Sequence, residues 1–192
     1  MNHDNYDVSY IRGILNTVKT IAMVGASAKD NRPSYFAFKY LAERGYTMIP
    51  INPGLAGKEL LGRKIYGRLS DVPEPIDMVD IFRASNYALP IVQEALTLTP
   101  RPRVIWMQLT VRNDEAAALA EANGMKVVMN RCPKIEYGRL SSEIGWLGIN
   151  SRTLSSKRAQ LSGKGVQRMS LNRQTLAGGS IARVVPEGEK PN

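Results

Sequence analysis

The residues best suited to chemistry form a turn of small residues, Gly25-Ala26-Ser27, between an apolar run and a run of helix-forming residues. The apolar run, Thr20 to Val24, predicts a short strand that is buried on both faces. Pro33 and Ser34 then precede residues that predict a helix. This arrangement favours phosphate binding, because the first N–H groups of a helix have no intrahelical partner and lie at the positive end of its dipole.

The turn departs from the dinucleotide-binding pattern G-x-G-x-x-G. In the run from Gly25 to Asp30, the first glycine of that pattern is present and the other two are absent. Small residues at this position also serve packing alone in α/β folds. The turn by itself therefore leaves a phosphate site and a packing role equally open.

Four cations are predicted to lie at the strand ends or in the loops that follow them: Lys29, Arg32, Lys58 and Arg83. The second predicted strand ends at Asn52-Pro53-Gly54, without the Asp or Glu that accepts the ribose 2′-OH in NAD-binding proteins. This sequence favours a ribose that carries a further phosphate, which the cations could neutralise. Each cation alone could be a solvated surface charge, but their joint placement favours a nucleotide site.

The alternation of short apolar runs with helical segments predicts an α/β domain with a parallel sheet. The predicted strands are 20–24, 46–51, 77–82, 104–108 and 126–129, with 64–66 as a brief edge strand. The predicted helices are 7–18, 34–45, 85–98 and 113–124, with Asp7 and Asn113 as N-caps. We predict a doubly wound, Rossmann-like sheet of five strands in the order 3-2-1-4-5, with helices on both faces and a ligand crevice beside the first strand.

Length and composition predict one domain followed by a tail. The chain has 192 residues, of which 43% are hydrophobic, and a net charge of +9. Residues 1–144 carry 18 Lys and Arg against 15 Asp and Glu, whereas residues 145–192 carry 8 against 2. We predict a Rossmann-like nucleotide-binding domain over 1–144 and a basic, Gly- and Ser-rich flexible tail over 145–192, open to an unknown protein partner. Nucleic acid is an unexpected partner, because no aromatic residue follows Trp146 to stack on bases.

The setting is predicted to be cytoplasmic. A single cysteine, Cys132, excludes an internal disulfide, and no apolar run has the length needed to span a membrane. The polar, acidic N-terminus does not resemble a signal peptide. We therefore expect no membrane partner.

Four segments together resemble the small CoA-binding protein family, whose fold is similar to the N-terminal CoA-binding domain of the succinyl-CoA synthetase α subunit. They are MVGAS continued by RPSYFAFKYLAERGYTMIPINP, then DMVDIFR, IWMQLTV and VVMNRCPKIEYGRL. The resemblance runs in continuous order over residues 8–141, and the four segments together are far more specific than any one of them.

The resemblance implies that coenzyme A or an acyl-CoA lies across the carboxyl ends of the strands. It implies phosphate contacts from Gly25, Ala26 and Ser27, with Arg32, Pro33 and Ser34 nearby. It implies nucleotide contacts from Asn52, Pro53, Phe82 and Arg83, and a pantetheine arm near Trp106, Met107 and Gln108. Where this chain has Gly54, relatives often have lysine, and Lys58 is the predicted substitute.

The residues for familiar catalytic sites are sparse. The synthetase α subunit uses a phosphohistidine, whereas the one histidine here, His3, lies in the polar N-terminal stretch, so we expect neither phosphohistidine nor Ser-His-Asp or Cys-His catalysis. No clustered ligands predict a metal site. Cys132 and Glu136 are the only suggestive pair near the crevice, and Cys132 is either a small buried residue or a reactive thiol.

Two classes of function remain open. The first, which we favour, is a non-enzymatic CoA or acyl-CoA binding protein that acts as a carrier or sensor. The second is an NADP-dependent oxidoreductase, or another nucleotide-binding enzyme, that uses the same cations. An oxidoreductase of this kind often has Tyr-x-x-x-Lys, and Lys134 with Tyr137 has the reverse order and a different spacing.

Overall fold

The computed structural model of the protein describes residues 1–141, and in this range five parallel strands form one sheet between two layers of helices. The strands are β1 (Thr20–Val24), β2 (Thr47–Ile51), β3 (Met78–Ile81), β4 (Val104–Met107) and β5 (Lys126–Val128). The helices are α1 (Val8–Thr17), α2 (Pro33–Glu43), α3 (Ala88–Thr97), α4 (Asp114–Ala122) and α5 (Pro133–Leu140). The predicted α/β class, with a parallel sheet and helices on both faces, is confirmed.

Helix starts follow the capping residues of the sequence. Asp7 Oδ1 accepts a hydrogen bond from the Ser9 N–H at 2.7 Å, and Asn113 Oδ1 accepts one from the Ala116 N–H at 2.8 Å, as predicted. Helix α5 was not predicted from the sequence. Pro133 occupies its first position, where the fixed φ of proline suits a helix and its missing N–H costs no hydrogen bond.

The strands are buried because helices cover both faces of the sheet. Helices α1, α2 and α5 pack on the face that carries Met23 and Trp106. Helices α3 and α4 pack on the opposite face, which carries Val24 and Met107. Successive side chains of a strand point to opposite faces, so each apolar run supplies both layers of the core.

The strand order differs from the prediction. The order is β2-β1-β3-β4-β5, that is 2-1-3-4-5, whereas we predicted 3-2-1-4-5. Strand β3 pairs with β1 on one side and with β4 on the other, instead of extending the sheet beyond β2. The order 2-1-3-4-5 is also doubly wound and still places the topological switch point beside β1.

The outer edge of β2 explains why the third strand does not pair there. The Tyr66 N–H donates to the carbonyl of Pro50 at 3.0 Å, and the Tyr66 carbonyl accepts from the Asn52 N–H at 2.8 Å, so Tyr66 forms an isolated parallel bridge on this edge. Pro50 offers no N–H to a neighbouring strand and is therefore tolerated only at a sheet edge. The predicted edge strand 64–66 reduces to this bridge and a hairpin of Glu59–Leu60 with Arg63–Lys64.

Asp77 fixes the start of β3 beside β1. Its Oδ2 accepts hydrogen bonds from the N–H groups of Lys19 at 2.7 Å and Thr20 at 3.1 Å, and its Oδ1 accepts one from Arg103 Nη2 at 2.8 Å. The carboxylate thus joins the amino ends of three neighbouring strands, β1, β3 and β4. These bonds stabilise the observed order over the one that we predicted.

Two predictions fall outside the described residues. They are the domain boundary at 144 and the basic tail over 145–192, which stay predictions. Among the helices of residues 1–141, none combines the length and the apolar character that crossing a membrane requires.

Replacing Asp77 with Ala is expected to lower the free energy of unfolding by about 2 kcal/mol, because two backbone N–H groups lose an ionised acceptor. Burial raises the pKa of Asp77, but the hydrogen bonds from Thr20, Lys19 and Arg103 together lower it. The stabilisation is therefore present above pH 4 and is lost as the pH falls through the lowered pKa.

Urea unfolding at pH 7 and pH 3 measures this effect. The difference between Asp77→Ala and the wild type should shrink at pH 3. The exposed carboxylate of Glu74, in the link before β3, provides the control Glu74→Ala, which should change stability by less than about 0.5 kcal/mol. Equal effects of the two substitutions at pH 7 would show that Asp77 does not hold β3 in place.

Candidate binding site at the carboxyl edge of the sheet

A cavity of about 410 Å³ lies at the carboxyl ends of β1 and β2, at the switch point of the sheet. It is lined by Val24, Gly25, Ile51, Pro53, Gly67, Arg68, Leu69, Ser70, Arg83, Tyr87, Ile91 and Glu94. Aliphatic residues of β1, β2 and α3 form its floor, and two arginines and one glutamate supply its charges. The crevice beside the first strand is therefore where the sequence analysis predicted it.

Gly25 brings the ends of three strands together. Its φ is +95°, and a Cβ at this position would lie 2.6 Å from the carbonyl oxygen of Phe82, so no other residue fits without moving backbone. The Gly25 N–H donates to the carbonyl of Ile51 at 2.9 Å, and the Phe82 N–H donates to the carbonyl of Val24 at 2.8 Å. These contacts place the end of β1 against the ends of β2 and β3.

The backbone donors of the turn differ from the predicted phosphate contacts. The N–H groups of Gly25 and Ala26 both donate to the carbonyl of Ile51, at 2.9 and 3.3 Å, and Ala26 is fully buried. The Ser27 N–H donates to Ser34 Oγ at 3.2 Å. All three predicted donors are thus paired in this conformation, Gly25 and Ala26 with a backbone carbonyl and Ser27 with a side-chain hydroxyl, and the partly exposed Ser27 is where the turn opens.

Helix α2 begins next to this turn without a capping side chain. Within residues 1–141, Arg32 is its N-cap residue yet makes no capping hydrogen bond through its side chain, and Pro33 has no N–H. The Lys29 N–H donates to Ser27 Oγ at 3.2 Å. Lys29, Arg32 and Pro33 are exposed around the helix start, so two cations and an uncapped helix N-terminus lie beside Ser27.

Asn52 supports the turn from the end of β2. Its Nδ2 donates to the carbonyl of Ala26 at 2.7 Å, and its Oδ1 accepts from the Gly54 N–H at 3.0 Å. Both groups of the side chain are thus engaged within the protein. Asn52 shapes the site, and the adjoining Pro53 lines the cavity directly.

Of the predicted cations, Arg83 lines the cavity. Its guanidinium carbon lies 4.6 Å from the centre of the Tyr87 ring, and both side chains are exposed. Lys58 is exposed on the link after β2 but does not line the cavity, and the side chain of Phe82 packs partly against the core. The cavity also contains Arg68, which the sequence analysis missed.

Three residues of the cavity lining were not predicted. Arg68 and Tyr87 lie in irregular segments, and Glu94 lies on one face of α3. Glu94 Oε1 accepts hydrogen bonds from Ser70 N–H at 3.1 Å and Ser70 Oγ at 3.2 Å, which ties the link before β3 to α3. One signal was present in the sequence, because an aromatic residue four positions after Arg83 can stack on its guanidinium. No comparable signal marked Arg68.

The residues predicted to contact pantetheine are in the core. Trp106 and Met107 are fully buried on opposite faces of the sheet, and Trp106 Nε1 donates to the carbonyl of Arg131 at 2.7 Å. Their side chains offer no surface to a ligand in this conformation. Gln108 is 5% exposed and is the member of this trio nearest the surface.

Gln108 binds a carboxyl group that the sequence analysis missed. Gln108 Nε2 donates to Asp80 Oδ1 at 2.9 Å and Oδ2 at 3.2 Å. Asp80 lies in the middle strand β3 and is fully buried, and this burial raises its pKa to about 8. An apolar run with one acid predicts a strand, and this pattern alone assigns no role to the acid.

The predicted pair Cys132 and Glu136 has two separate environments. The Glu136 carboxylate is buried and pairs with Arg139 Nη2 at 2.6 Å and Arg131 Nη1 at 3.5 Å. Cys132 is the N-cap residue of α5 and is 9% exposed, and burial is the main cause that raises its thiol pKa. Glu136 is thus ion-paired through its side chain, and its N–H donates to the carbonyl of Cys132 at 2.9 Å.

The other groups considered for chemistry have the following surroundings within residues 1–141. No group of three or more His, Cys, Asp or Glu side chains is placed to hold a metal ion there. Tyr137 is fully buried in the core, and His3 Nδ1 lies 2.9 Å from the hydroxyl of Tyr6.

Comparison with known proteins adds three similarities in sequence. The model of a family described as "CoA binding domain" matches residues 19–138. The Bacillus subtilis protein YneT is 37% identical over 127 residues, which cover 66% of this chain and 91% of YneT. The α subunit of the ADP-forming acetate–CoA ligase I of Pyrococcus furiosus is 31% identical over 80 residues, which cover 40% of this chain and 17% of that subunit.

A solved structure shares the fold. The structure of a hypothetical protein from Pyrococcus horikoshii superposes with a TM-score of 0.68 and 37% sequence identity, and the match covers 73% of this chain and 96% of that chain. The similarity thus spans nearly all of the relative.

Replacing Gly25 with Ala should destabilise the protein through both its positive φ and its contact with Phe82. We expect a loss of roughly 2–5 kcal/mol, the sum of a left-handed backbone and an overpacked contact. Gly124→Ala is a matched control, because Gly124 has a φ of +78° but no atom within 4 Å of an added Cβ. Its cost should be about 1 kcal/mol. Equal losses in urea unfolding would show that the close approach to Phe82 has no energetic weight.

Asp80→Asn should flatten the pH dependence of stability. A carboxyl whose pKa is raised to about 8 in the folded protein keeps a proton that the unfolded chain has lost, so stability falls as the pH rises between about 4 and 8. Asn keeps an acceptor for Gln108 and does not titrate. In thermal unfolding at several pH values from 5 to 8, the Tm of the variant should fall less than that of the wild type. Parallel curves, like those expected for the exposed Glu74→Gln, would contradict the raised pKa.

Proposed function

This chain belongs to the CoA-binding domain family, and we propose that it binds coenzyme A or an acyl-CoA at the carboxyl edge of its sheet. In this proposal the protein acts as a carrier or sensor of the cofactor and does not turn it over. The acetate–CoA ligase subunit is a much longer protein, of which this chain matches 17%, so its activity is not transferred.

The observation that carries the proposal is the combination of an apolar cavity, two arginines and an acid-free end of β2. The walls of Val24, Ile51 and Ile91 suit the flat, apolar faces of adenine. Arg68 and Arg83 suit the phosphate on the ribose of CoA, since guanidinium groups bind phosphate oxygens in pairs. Asn52 at the end of β2 leaves room for that phosphate, where a carboxylate would repel it.

The pyrophosphate of CoA is proposed to lie beside Ser27 and the start of α2. There the uncapped helix N-terminus, Lys29 and Arg32 combine a partial positive charge with two full charges. Pro33 and the buried Ser34 shape the first turn of the helix. Because Gly25 and Ala26 donate within the sheet, most of the binding energy for the pyrophosphate is assigned to the helix start and the cations.

A binding role is favoured over turnover by the state of the titratable groups. Glu136 pairs with two arginines, Tyr137 is buried, and His3 contacts Tyr6. The acid-free end of β2 would also suit NADP, so an NADP-dependent enzyme is the alternative that an experiment must separate. A cytoplasmic location stays a prediction from the sequence.

Calorimetric titration of the full chain with CoA, dephospho-CoA, NADP and NAD tests the proposal. We expect CoA to bind more tightly than dephospho-CoA, because dephospho-CoA lacks the ribose phosphate that the two arginines are proposed to bind. We expect NAD to bind least. Tighter binding of NADP than of CoA would favour the oxidoreductase, and stronger binding of NAD than of CoA would overturn the nucleotide site as proposed.

Substitutions locate the site. Arg83→Ala and Arg32→Ala should each weaken CoA roughly ten- to hundredfold, because a charge-assisted contact to phosphate contributes about 1.5–3 kcal/mol. The losses should shrink at high salt as screening grows. Arg101→Ala is the control, because the exposed Arg101 lies before β4, at the opposite edge of the sheet, where its Nε donates to the carbonyl of Leu96. Equal effects of Arg101→Ala and Arg83→Ala would show that the losses come from net charge alone.

Two substitutions of Ser27 distinguish a hydrogen bond from its hydroxyl to CoA from a close approach of the phosphates to the turn. Ser27→Ala should cost less than tenfold in CoA affinity, since one neutral hydrogen bond contributes about 1 kcal/mol. Ser27→Leu should cost much more, because a branched side chain fills the space where the turn opens. CoA binding by Ser27→Leu at wild-type affinity, measured in the same titration, would place the phosphates elsewhere.

A further inference from the structure

One carboxylate, that of Glu94, lines the cavity at the carboxyl edge of the sheet, and the contacts proposed for CoA give it no role. Within residues 1–141 it is the only acidic side chain of the cavity lining. A carboxylate repels phosphate, so its presence in a site for a polyanion is unexpected. Its position must therefore suit a part of the ligand other than the phosphates.

Glu94 lies at one end of a stripe along α3. Tyr87, Ile91 and Glu94 are separated by four and three residues, so they share one face of the helix, and all three line the cavity. At a rise of about 1.5 Å per residue, Glu94 lies roughly 10 Å further along the helix than Tyr87. The guanidinium carbon of Arg83 lies 4.6 Å from the centre of the Tyr87 ring. This wall of the cavity therefore has a cation at one end and a carboxylate at the other.

The two oxygens of the Glu94 carboxylate have different surroundings. Oε1 accepts hydrogen bonds from the Ser70 N–H at 3.1 Å and from Ser70 Oγ at 3.2 Å. In the part of the chain that the structure describes, Oε2 has neither a hydrogen-bond donor nor an ion-pair partner, and it is not a buried atom. The protein thus holds one oxygen in place and leaves the other as an acceptor for a ligand.

The lining and the size of the cavity indicate which kind of donor fits. Apolar side chains share the lining with Glu94, and they suit a flat ring: Val24, Ile51, Leu69 and Ile91. A cavity of about 410 Å³ lies at the small end of the range of ligand pockets, roughly 300–1,000 Å³. This volume suits the nucleoside part of CoA better than the whole molecule. In a nucleotide, the only N–H donor of the adenine ring is its 6-amino group.

We propose that Glu94 Oε2 accepts a hydrogen bond from the 6-amino group of adenine and makes the cavity selective for adenine over 6-oxo purines. This inference rests on the proposed CoA binding and adds base selectivity to it. The base lies on the aliphatic floor with its amino group toward Glu94, and the ribose phosphate is turned toward Arg83. The carboxylate thus bonds the uncharged end of the ligand, and the phosphate is kept at the opposite end of the wall.

The selectivity follows from the direction of one hydrogen bond. Hypoxanthine has a carbonyl oxygen where adenine has the amino group, so two acceptors would face each other at Oε2. A polar group that loses its partner on leaving water costs more free energy than a hydrogen bond gains. A site built to bond one donor therefore rejects an analogue that lacks it far better than a purely apolar pocket can.

Calorimetric titration of the full chain with CoA, and with the CoA analogue in which hypoxanthine replaces adenine, tests the proposal. We expect the analogue to bind at least roughly tenfold more weakly than CoA. Both ligands carry the same phosphates and the same pantetheine arm, so a difference between them reports on the base alone. Equal affinities would overturn the selection of the base, and this comparison depends on no variant.

Glu94→Gln tests the residue. The Ser70 N–H can only donate, so it keeps the amide oxygen at the position of Oε1, and the amide N–H₂ group then points into the cavity. This group is a donor, which suits a 6-oxo purine and opposes the 6-amino group. The affinity of CoA relative to that of the analogue should therefore fall at least roughly tenfold. Glu43→Gln removes the same charge from an exposed residue at the C-terminal end of α2 and should leave the ratio unchanged.

The outcomes separate base selection from a structural role of Glu94 and from CoA binding itself. A carboxylate that only ties Ser70 to α3 would, when changed to Gln, leave the ratio of the two affinities as it is in the wild type. That result, with CoA still bound, overturns the role of Glu94 in base selection and keeps the proposed function. A wild-type chain that does not bind CoA overturns both proposals together.

Discussion

The close approach of Gly25 to the backbone of Phe82 is the constraint on which the carboxyl edge of this protein depends. Gly25 directly follows β1. Its N–H donates to the carbonyl of Ile51, the last residue of β2, and its Cα packs against Phe82, the residue that follows β3. Three strand ends therefore converge on one residue that has no side chain. The cavity, the turn at Ser27 and the start of α2 are all placed relative to this contact.

The polar side chains at the two ends of the strands have different roles. At the amino edge, Asp77 joins β1, β3 and β4 through an ionised carboxylate, and its role is structural. At the carboxyl edge, the Asn52 side chain donates to the turn at Ala26, and the Gln108 side chain donates to Asp80. The amide side chains of Asn52 and Gln108 are thus bound inside the protein, and the proposed phosphate contacts are left to the cations and the start of α2. This division is consistent with a protein whose rigid strands position loops that bind.

The sequence was sufficient to predict the features that depend on residues close together in the chain. Apolar runs gave the strands, and Asp7 and Asn113 gave helix starts, because a cap acts over three residues. The strand order depends on Pro50 and Asp77. A proline inside a strand indicates that the strand lies at a sheet edge. Asp77 bonds residues that are far away in the sequence, so no local pattern indicates its partners. The residues that line the cavity were predicted where they directly follow a strand, as at Arg83 and Pro53. Arg68 was missed because it reaches the cavity from the long link between β2 and β3. Trp106 and Met107 were predicted near a ligand because they are the last residues of β4, but their side chains point into the cores on the two faces of the sheet.

Hydrogen exchange of the full chain with and without CoA tests the central claim most directly, because it maps a ligand onto the backbone. The account predicts slower exchange in residues 27–36, 66–70 and 82–91, at the carboxyl edge around the switch point. It predicts no change in residues 17–20 and 99–103, at the amino edge. Protection confined to the amino edge, or no protection at CoA concentrations that saturate a calorimetric titration, would contradict the account.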